Sequence, residues 1–220
     1  MKPELIVMLT LNDRTVPEAK EIFEACASLP VKLWGFKDVG IPFEQMQALA
    51  AAMKAAGKTV YIESLESEEE ACLKSAETAA ACGADVMSGG RYYDRVRNFL
   101  HAHGLGYEPS IGTIVGRPAV LQGTIDEMAN EAALLKRNGV DGVDLASYRY
   151  DGDPVALMRA VTACGVPVCV AGSIDSRQRL QEITDCGIHR FTIGSAFFRH
   201  TFGESFEAQI RTVLDILDSL

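Results

Sequence analysis

Three ionisable residues stand at the ends of short apolar runs and could move a proton: Lys37 in GFKDVG, Glu63 in YIESLE and Asp144 in GVDGVDL. A lysine beside a carboxylate can form an acid and base pair for shifting a proton next to a carbonyl group. Asp144 would supply a second carboxylate, and burial near a cation would let the two carboxyl groups take different pKa values. We therefore predict Lys37, Glu63 and Asp144 as catalytic residues of an isomerase or epimerase.

Three other interpretations of this set remain open. A desolvated, neutral Lys37 could attack a carbonyl carbon and form a Schiff base, which would make the protein an aldolase or another lyase. The same charges could form an interior salt bridge without a catalytic role. The protein could also be a regulator that binds a phosphorylated metabolite without converting it. Several inward-pointing acids favour an enzyme over a regulator, because a site that only binds phosphate needs few carboxylates at its mouth.

Two similar glycine turns lie near the C-terminus, in VAGSIDSRQRL and in FTIGSAFF. Gly172 and Gly194 would let backbone N–H groups approach an anion closely, and Ser173 and Ser195 would add hydroxyl donors. A helix predicted to begin near Ser176 points its positive end at the same place. In AFFRHTFGES, a one-turn helix precedes the last long helix, which would supply a second positive end. We predict that these four residues bind a phosphate group.

Arginines are the predicted ligands for a second anionic group, because the guanidinium group suits bidentate capture of phosphate or carboxylate. We assign Arg14 and Arg149 to binding the far end of the substrate. The cations expected on the binding side are Arg14, Lys37, Arg91, Arg117, Arg149, Arg177 and Arg199.

Strand and helix patterns alternate along the chain and must position these residues. The predicted strands are 5–9, 31–36, 59–62, 84–87, 107–111, 140–145, 167–171 and 191–193, and the predicted helices are 17–28, 42–56, 68–82, 92–103, 125–138, 154–164, 176–186 and a final one ending at 218. Most of the helices stop at a glycine, which is typical of a left-handed C-terminal cap. Eight such units predict an α/β fold, a (β/α)₈ TIM barrel formed as a single domain by residues 1–220, with an open doubly wound sheet as the alternative.

The strand alternation predicts which side chains enter the barrel. Tyr61, Glu63 and Asp144 should point inward, while Val60 and Ile62 should face the helices. The segment from Glu108 to Gly123 is longer than an ordinary loop and carries no helix pattern. It is a candidate for a lid, or else a surface hairpin beside the fifth strand.

The motifs VAGSI and FTIGSAFF resemble those of the ribulose-phosphate-binding barrels, a superfamily of phosphosugar epimerases, decarboxylases, synthases and isomerases of amino-acid biosynthesis. The resemblance implies a small phosphorylated, sugar-derived substrate bound through Gly172, Ser173, Gly194 and Ser195. In its third strand, the chain lacks the Asp-x-Lys-x-x-Asp motif of the decarboxylases and hexulose-phosphate synthases of this superfamily. In its sixth strand, it lacks the lysine of the small Schiff-base aldolases. No histidine stands at a strand end where a metal-dependent epimerase would have one. The resemblance therefore points to no single family.

Composition narrows the function classes further. The formal net charge of −9 disfavours nonspecific binding of nucleic acid. No apolar segment approaches the roughly 20 residues that span a bilayer, and the opening apolar run is cut by Asn12, Asp13 and Arg14 rather than continuing as a signal peptide. The six scattered cysteines are expected to be free thiols. We predict a cytoplasmic protein without a metal site, a nucleotide motif or a cofactor, although Mg²⁺ held by carboxylates stays open, as does a homo-oligomer.

Overall fold

A computed structural model describes residues 2–116 and 119–220, so Arg117 lies outside the described residues. Its main sheet has eight strands that pair in parallel. The strands are β1 Glu4–Met8, β2 Leu33–Lys37, β3 Thr59–Ser64, β4 Val86–Gly89, β5 Gly106–Glu108, β6 Val143–Leu145, β7 Val168–Val170 and β8 Arg190–Ile193.

The sheet closes on itself between β5 and β6. Strands β6, β7 and β8 lead to β1, and the order then continues through β2, β3, β4 and β5. At the seam, the amide of Asp144 donates to the carbonyl of Pro109 at 2.9 Å, and the amide of Ile111 donates to the carbonyl of Asp144 at 3.1 Å. Closure removes the exposed sheet edges, and it confirms the predicted (β/α)₈ barrel rather than the open sheet.

Helices surround the barrel, one after each strand in the first seven units. They are α1 Ala19–Cys26, α2 Phe43–Ala55, α3 Glu69–Ala81, α4 Asp94–Ala102, α5 Ile125–Arg137, α6 Pro154–Ala163 and α7 Arg177–Asp185, followed after β8 by a single turn, α8 Ser195–Phe198, and by α9 Phe206–Asp218. The first seven begin and end within two residues of the predicted bounds. From α2 to α7, each helix is followed by a glycine with a positive φ, such as Gly57 at 71° and Gly187 at 69°, as the pattern predicted.

Side chains on alternate strand positions fill two separate cores. Val60 and Ile62 pack outward in the large cluster between sheet and helices, while Tyr61 belongs to a small cluster inside the barrel with Ile6 and Met8. The predicted alternation of β3 is confirmed. Toward the carboxyl ends of the strands, the interior changes from apolar to charged, because Lys37 and Asp144 are the inward residues there.

The segment from Glu108 to Gly123 contains an antiparallel hairpin. Its strands are Thr113–Val115 and Val120–Gln122. The base of the hairpin is held by a bond from the amide of Gly112 to Glu131 Oε2, at 2.8 Å. The predicted hairpin is confirmed, and the role of the segment as a lid stays a prediction.

Two further expectations are tested by the structure. All six cysteines are free thiols, as predicted. In the described part of the chain, no helix combines the length and the apolar character needed to cross a membrane.

Candidate active site

Lys37 is the centre of a charged cluster inside the mouth of the barrel. Its Nζ atom lies 2.9 Å from Asp13 Oδ1 and 3.0 Å from Glu63 Oε1, and only 6 % of its side chain is exposed. Lys37 and Glu63 are direct partners in the register between β2 and β3. The sequence prediction that Lys37 and Glu63 lie together is confirmed. Asp13 is a third member of the charged cluster.

Two opposing effects act on the Lys37 ammonium group. Burial lowers the pKa of Lys37. Attraction to Glu63 and Asp13 and hydrogen bonds to both together raise it by more than burial lowers it, so the net shift is upward. Lys37 therefore stays a cation at neutral pH. A protonated amine has no lone pair for attack on a carbonyl, so this arrangement suits charge stabilisation better than Schiff-base formation.

Asp144 enters the same space from β6 and is 6 % exposed. Ser110 Oγ donates to its Oδ2 atom at 3.0 Å. Burial raises the pKa of Asp144, and repulsion from Glu63 adds to the rise, while the Ser110 bond and the Lys37 charge oppose it, with a net pKa of about 7. A carboxyl group with this pKa can both accept and return a proton near neutral pH.

Asp13 reaches Lys37 because a tight turn aims it into the barrel. Short strands Thr10–Leu11 and Arg14–Thr15 pair antiparallel around Asn12 and Asp13, whose φ angles are 49° and 61°. Asparagine and aspartate are the residues other than glycine that adopt this conformation most readily. The NDR sequence carries this signal, but the sequence analysis assigned the neighbouring Arg14 to the substrate instead.

The predicted phosphate residues stand together at the ends of β7 and β8. Gly172 has a φ of 78° and Ser173 one of 58°, so both turn the chain sharply. Among the described residues, the backbone amides of Ser173, Gly194 and Ser195 have no hydrogen-bond acceptor, whereas the amide of Gly172 donates to Thr192 Oγ1 at 3.3 Å, near the upper limit for such a bond. All four of these residues line the cleft.

Position 194 has room only for glycine. A Cβ atom at this position would lie 2.7 Å from Thr10 Oγ1 and 3.0 Å from the carbonyl oxygen of the same residue. The hydroxyl of Ser195, one residue later, accepts a hydrogen bond from the amide of Asn12 at 3.3 Å. The end of β8 is therefore joined to the turn that holds Asp13.

Serine side chains cap the N-termini of the two long helices nearest these turns in the chain. Ser176 caps α7, with its Oγ accepting from the amide of Arg179 at 3.3 Å, and Ser205 caps α9, with its Oγ accepting from the amide of Ala208 at 3.1 Å. The N-terminus of α9 does not contribute to the lining of the cleft. Of the two helices predicted in AFFRHTFGES, α8 has its N-terminus in the lining of the cleft, at Ser195, and α9 does not.

Arg149 lies at the glycine turn of β7 and not at the far end of the site. A Cβ atom on Gly172 would be 3.2 Å from Nε and Nη2 of Arg149, and Nη2 is 3.8 Å from Asp13 Oδ1. Arg14 is exposed and is not among the residues that line the cleft, whereas Arg91 and Arg199 are. Arg177 instead donates to Ser219 Oγ at 3.1 Å on the outside of the barrel.

A second ion pair lies deeper in the barrel. Arg190 Nη2 is 2.6 Å from Glu108 Oε1, and Glu108 is only 2 % exposed. Burial raises the pKa of Glu108 to about 7, more than the attraction of Arg190 lowers it. Glu108 precedes Ser110 by two residues, so its side chain belongs one layer below Asp144.

The charged cluster around Lys37 and the two glycine turns open onto one cleft of about 1690 Å³. Lys37, Glu63 and Asp144 lie in its wall together with Gly172, Ser173, Gly194, Ser195 and Arg149, and the hairpin that begins at Thr113 borders the other side. Within the described residues, no group of three or more histidine, cysteine or acidic side chains is arranged to hold a metal ion.

No family model and no curated protein matches this chain in sequence. Solved structures do match it. The chain resembles N-(5'-phosphoribosyl)anthranilate isomerase from Pyrococcus furiosus, with a TM-score of 0.69 and 14% identity over 99% of this chain and 100% of that one. It resembles N-acetylmannosamine-6-phosphate 2-epimerase from Clostridium perfringens, with a TM-score of 0.65 and 14% identity over 99% of this chain and 93% of that one.

A native KDPGal structure gives a TM-score of 0.70 and 15% identity over 100% of this chain and 98% of that one. The chain shares their barrel fold. This similarity agrees with the predicted (β/α)₈ barrel. At these identities, the similarity establishes the architecture, and the chemistry has to be argued from the site.

Proposed function

We propose that this protein is an enzyme that holds a small phosphorylated, sugar-derived metabolite by its phosphate and transfers a proton next to a carbonyl group, as an isomerase or epimerase. The observation that carries the proposal is Asp144, a buried carboxyl group with a pKa of about 7 in one cleft with the Lys37 cation and the glycine turns. The solved structures with this fold include an isomerase and a phosphosugar epimerase, which supports the reaction class.

The proposed chemistry divides the work between Asp144 and Lys37. The Asp144 carboxylate removes a proton from the carbon beside the carbonyl group, and the electron pair of the broken C–H bond moves to the carbonyl oxygen. Lys37 stabilises the resulting enolate oxygen by its fixed positive charge. In an isomerase, the hydroxyl proton of that carbon then passes to the former carbonyl oxygen, and Asp144 returns its proton to the former carbonyl carbon. In an epimerase, the deprotonated carbon instead takes a proton from water on its opposite face, and Asp144 gives its own proton to the hydroxide that is left. Glu63 stays ionised beside Lys37 and holds the ammonium group in place.

The phosphate group would sit against Gly172, Ser173, Gly194 and Ser195, with Arg149 as its cation. Backbone amides without an acceptor and a guanidinium group beside the turn are the donors that a phosphate dianion prefers. We also propose that residues 1–220 act as one domain, because a single closed sheet and its helices draw on the chain from Glu4 to Asp218.

Hydrogen exchange at carbon tests the proposal directly. The protein is incubated in D₂O with a panel of aldose and ketose phosphates, and ¹H NMR follows the loss of the proton beside the carbonyl group. We expect exchange with one member of the panel, and Asp144→Asn should slow it by about 10²- to 10⁴-fold, the usual contribution of a general base.

A matched control is Asp151→Asn, because Asp151 lines the same cleft but makes no ion pair among the described residues. This variant should exchange protons at the normal rate. Tight binding of one phosphorylated compound without exchange in any member of the panel would favour the regulator and contradict the proposal.

A further inference from the structure

We infer that Asp13 couples the phosphate site to the reacting groups, because its carboxylate is shared between Arg149 and Lys37 and an arriving phosphate competes for Arg149. The inference rests on the proposed function. It assigns Asp13 as a positioning residue that acts through Lys37, and it explains how the phosphate handle could adjust a charge at the other end of the site.

The shared carboxylate is the central observation. The same oxygen, Asp13 Oδ1, lies 2.9 Å from Lys37 Nζ and 3.8 Å from Arg149 Nη2. Arg149 in turn lies against Gly172, where the phosphate is proposed to bind. One chain of charges thus runs from the phosphate end of the cleft to the reacting end.

The turn that carries Asp13 is fixed at both of its ends. On one side, the amide of Asn12 donates to Ser195 Oγ at 3.3 Å, and Arg199 Nη2 donates to Asn12 Oδ1 at 3.5 Å. On the other side, Thr15 Oγ1 donates to the carbonyl of Lys37 at 2.7 Å and accepts from its amide at 2.9 Å. The turn therefore touches the phosphate end and β2 at once.

Competition for Arg149 gives the coupling its direction. A phosphate dianion is a stronger partner for a guanidinium group than a single carboxylate is, so binding of phosphate draws Arg149 away from Asp13. Arg149 then no longer competes with Lys37 for Asp13 Oδ1, and the Asp13 charge holds the ammonium group more firmly in place. The same competition works in the other direction, because Asp13 weakens phosphate binding by occupying Arg149 in the free protein.

The test is the affinity for inorganic phosphate, measured by isothermal titration calorimetry with the full chain and with Asp13→Asn. Asparagine has the same shape and also accepts a positive φ, so the turn should persist. We expect Asp13→Asn to bind phosphate roughly fivefold more tightly, as for removal of a partly exposed ion pair, while it slows proton exchange. Loss of a merely structural residue would weaken binding instead.

Asp151→Asn again serves as the control, since it removes one negative charge from the same cleft without touching Arg149. The gain for Asp13→Asn must exceed the gain for Asp151→Asn; equal gains would reduce the effect to general charge and overturn the inference. If the unaltered protein binds no phosphate, the proposed phosphate site itself fails and the inference falls with it.

A second measurement follows Lys37 itself, first in the unaltered protein and then in Asp13→Asn. Saturation with inorganic phosphate should shift the ¹⁵Nζ resonance of Lys37, although no phosphate atom need contact that residue. In Asp13→Asn, the shift should fall to less than half. A Lys37 resonance that does not respond in the unaltered protein, while calorimetry shows phosphate bound, would overturn the coupling and leave the phosphate site standing.

Discussion

Lys37 shows how the surroundings of a single amine decide its chemistry. A buried lysine without partners loses its proton easily and becomes a nucleophile. Here two carboxylates within hydrogen-bond distance oppose that effect, and the pKa of Lys37 rises. The same residue that sequence alone offers either as a Schiff-base nucleophile or as an acid therefore serves best as a fixed positive charge.

Replacement of Lys37 separates these two roles. We expect Lys37→Met to slow proton exchange by about 10²- to 10³-fold, the usual cost of removing one donor to a developing oxyanion. Lys58→Met is the control, because Lys58 Nζ donates to the carbonyls of Leu29 and Val31, outside the cleft lining, and exchange should persist. Treatment of the unaltered protein with borohydride and its substrate should leave no lysine adduct by mass spectrometry, and a Lys37 adduct would contradict the assignment.

Sequence reasoning could find Lys37 and Glu63 because neighbouring parallel strands bring their ends together. It could not choose between Asp13 and Arg14, since both follow β1 and only the turn geometry decides which side chain enters the barrel. Nor could it place Arg149 beside Gly172, because that contact joins the irregular chain after β6 to the end of β7. Contacts between strands were predictable, and contacts between loops were not.

At the level of elements, the hairpin around Asn12 and Asp13 depends on how closely it packs on β2. The amide of Thr15 donates to the carbonyl of Val39 at 2.9 Å, just before Gly40. A Cβ atom on Gly40 would lie 2.3 Å from the carbonyl oxygen of Thr15, and the φ of Gly40 is 114°. Only glycine lets the hairpin approach this far.

Gly40→Ala should therefore displace the hairpin and damage the site. We expect a loss of about 2 to 4 kcal/mol in the free energy of unfolding, measured with urea, together with slower proton exchange. Gly57→Ala is matched to it, because Gly57 also has a positive φ, 71°, but a Cβ atom there would meet nothing within 4 Å. That control should cost only about 1 kcal/mol and leave exchange unchanged. Equal losses in both variants would show that backbone strain, not the close approach to Thr15, is what matters.

The regular elements were easier to predict than the connections. In helices α2 to α7, a glycine marks the C-terminal end and the spacing of apolar residues marks the buried face, so their bounds can be predicted from local sequence. The strands β5 and β6 are shorter than their apolar runs. At the seam between them, the regular parallel pairing gives way to isolated hydrogen bonds, such as the one from the amide of Asp144 to the carbonyl of Pro109. The lining role of the hairpin from Thr113 depends on tertiary packing that no local pattern carries.

At the scale of the whole molecule, the barrel interior holds two layers of ionisable side chains. Asp144 faces the cleft with Lys37 and Glu63, and below it Glu108 pairs with Arg190. The pKa of Asp144 and that of Glu108 are both about 7, in each case chiefly because burial penalises the charged form. Burial of acids in this way costs stability at neutral pH.

The stability of the fold should therefore fall as the pH rises from about 4.5 to 7. In this range, the folded protein keeps protons on Asp144 and Glu108 that the unfolded chain, with ordinary carboxyl pKa values of 3.8 and 4.5, has released. The folded state then binds more protons than the unfolded state, so each of the two groups lowers the free energy of unfolding by up to about 1.4 kcal/mol per pH unit. Urea unfolding is measured at steps of half a pH unit. The free energy of unfolding should decline less with pH in Asp144→Asn than in the unaltered protein, and less again in the double variant that also carries Glu108→Gln. Parallel curves for all three proteins would show that these carboxyl groups titrate normally, and Asp144 would then lack the raised pKa on which its role as the proton carrier depends.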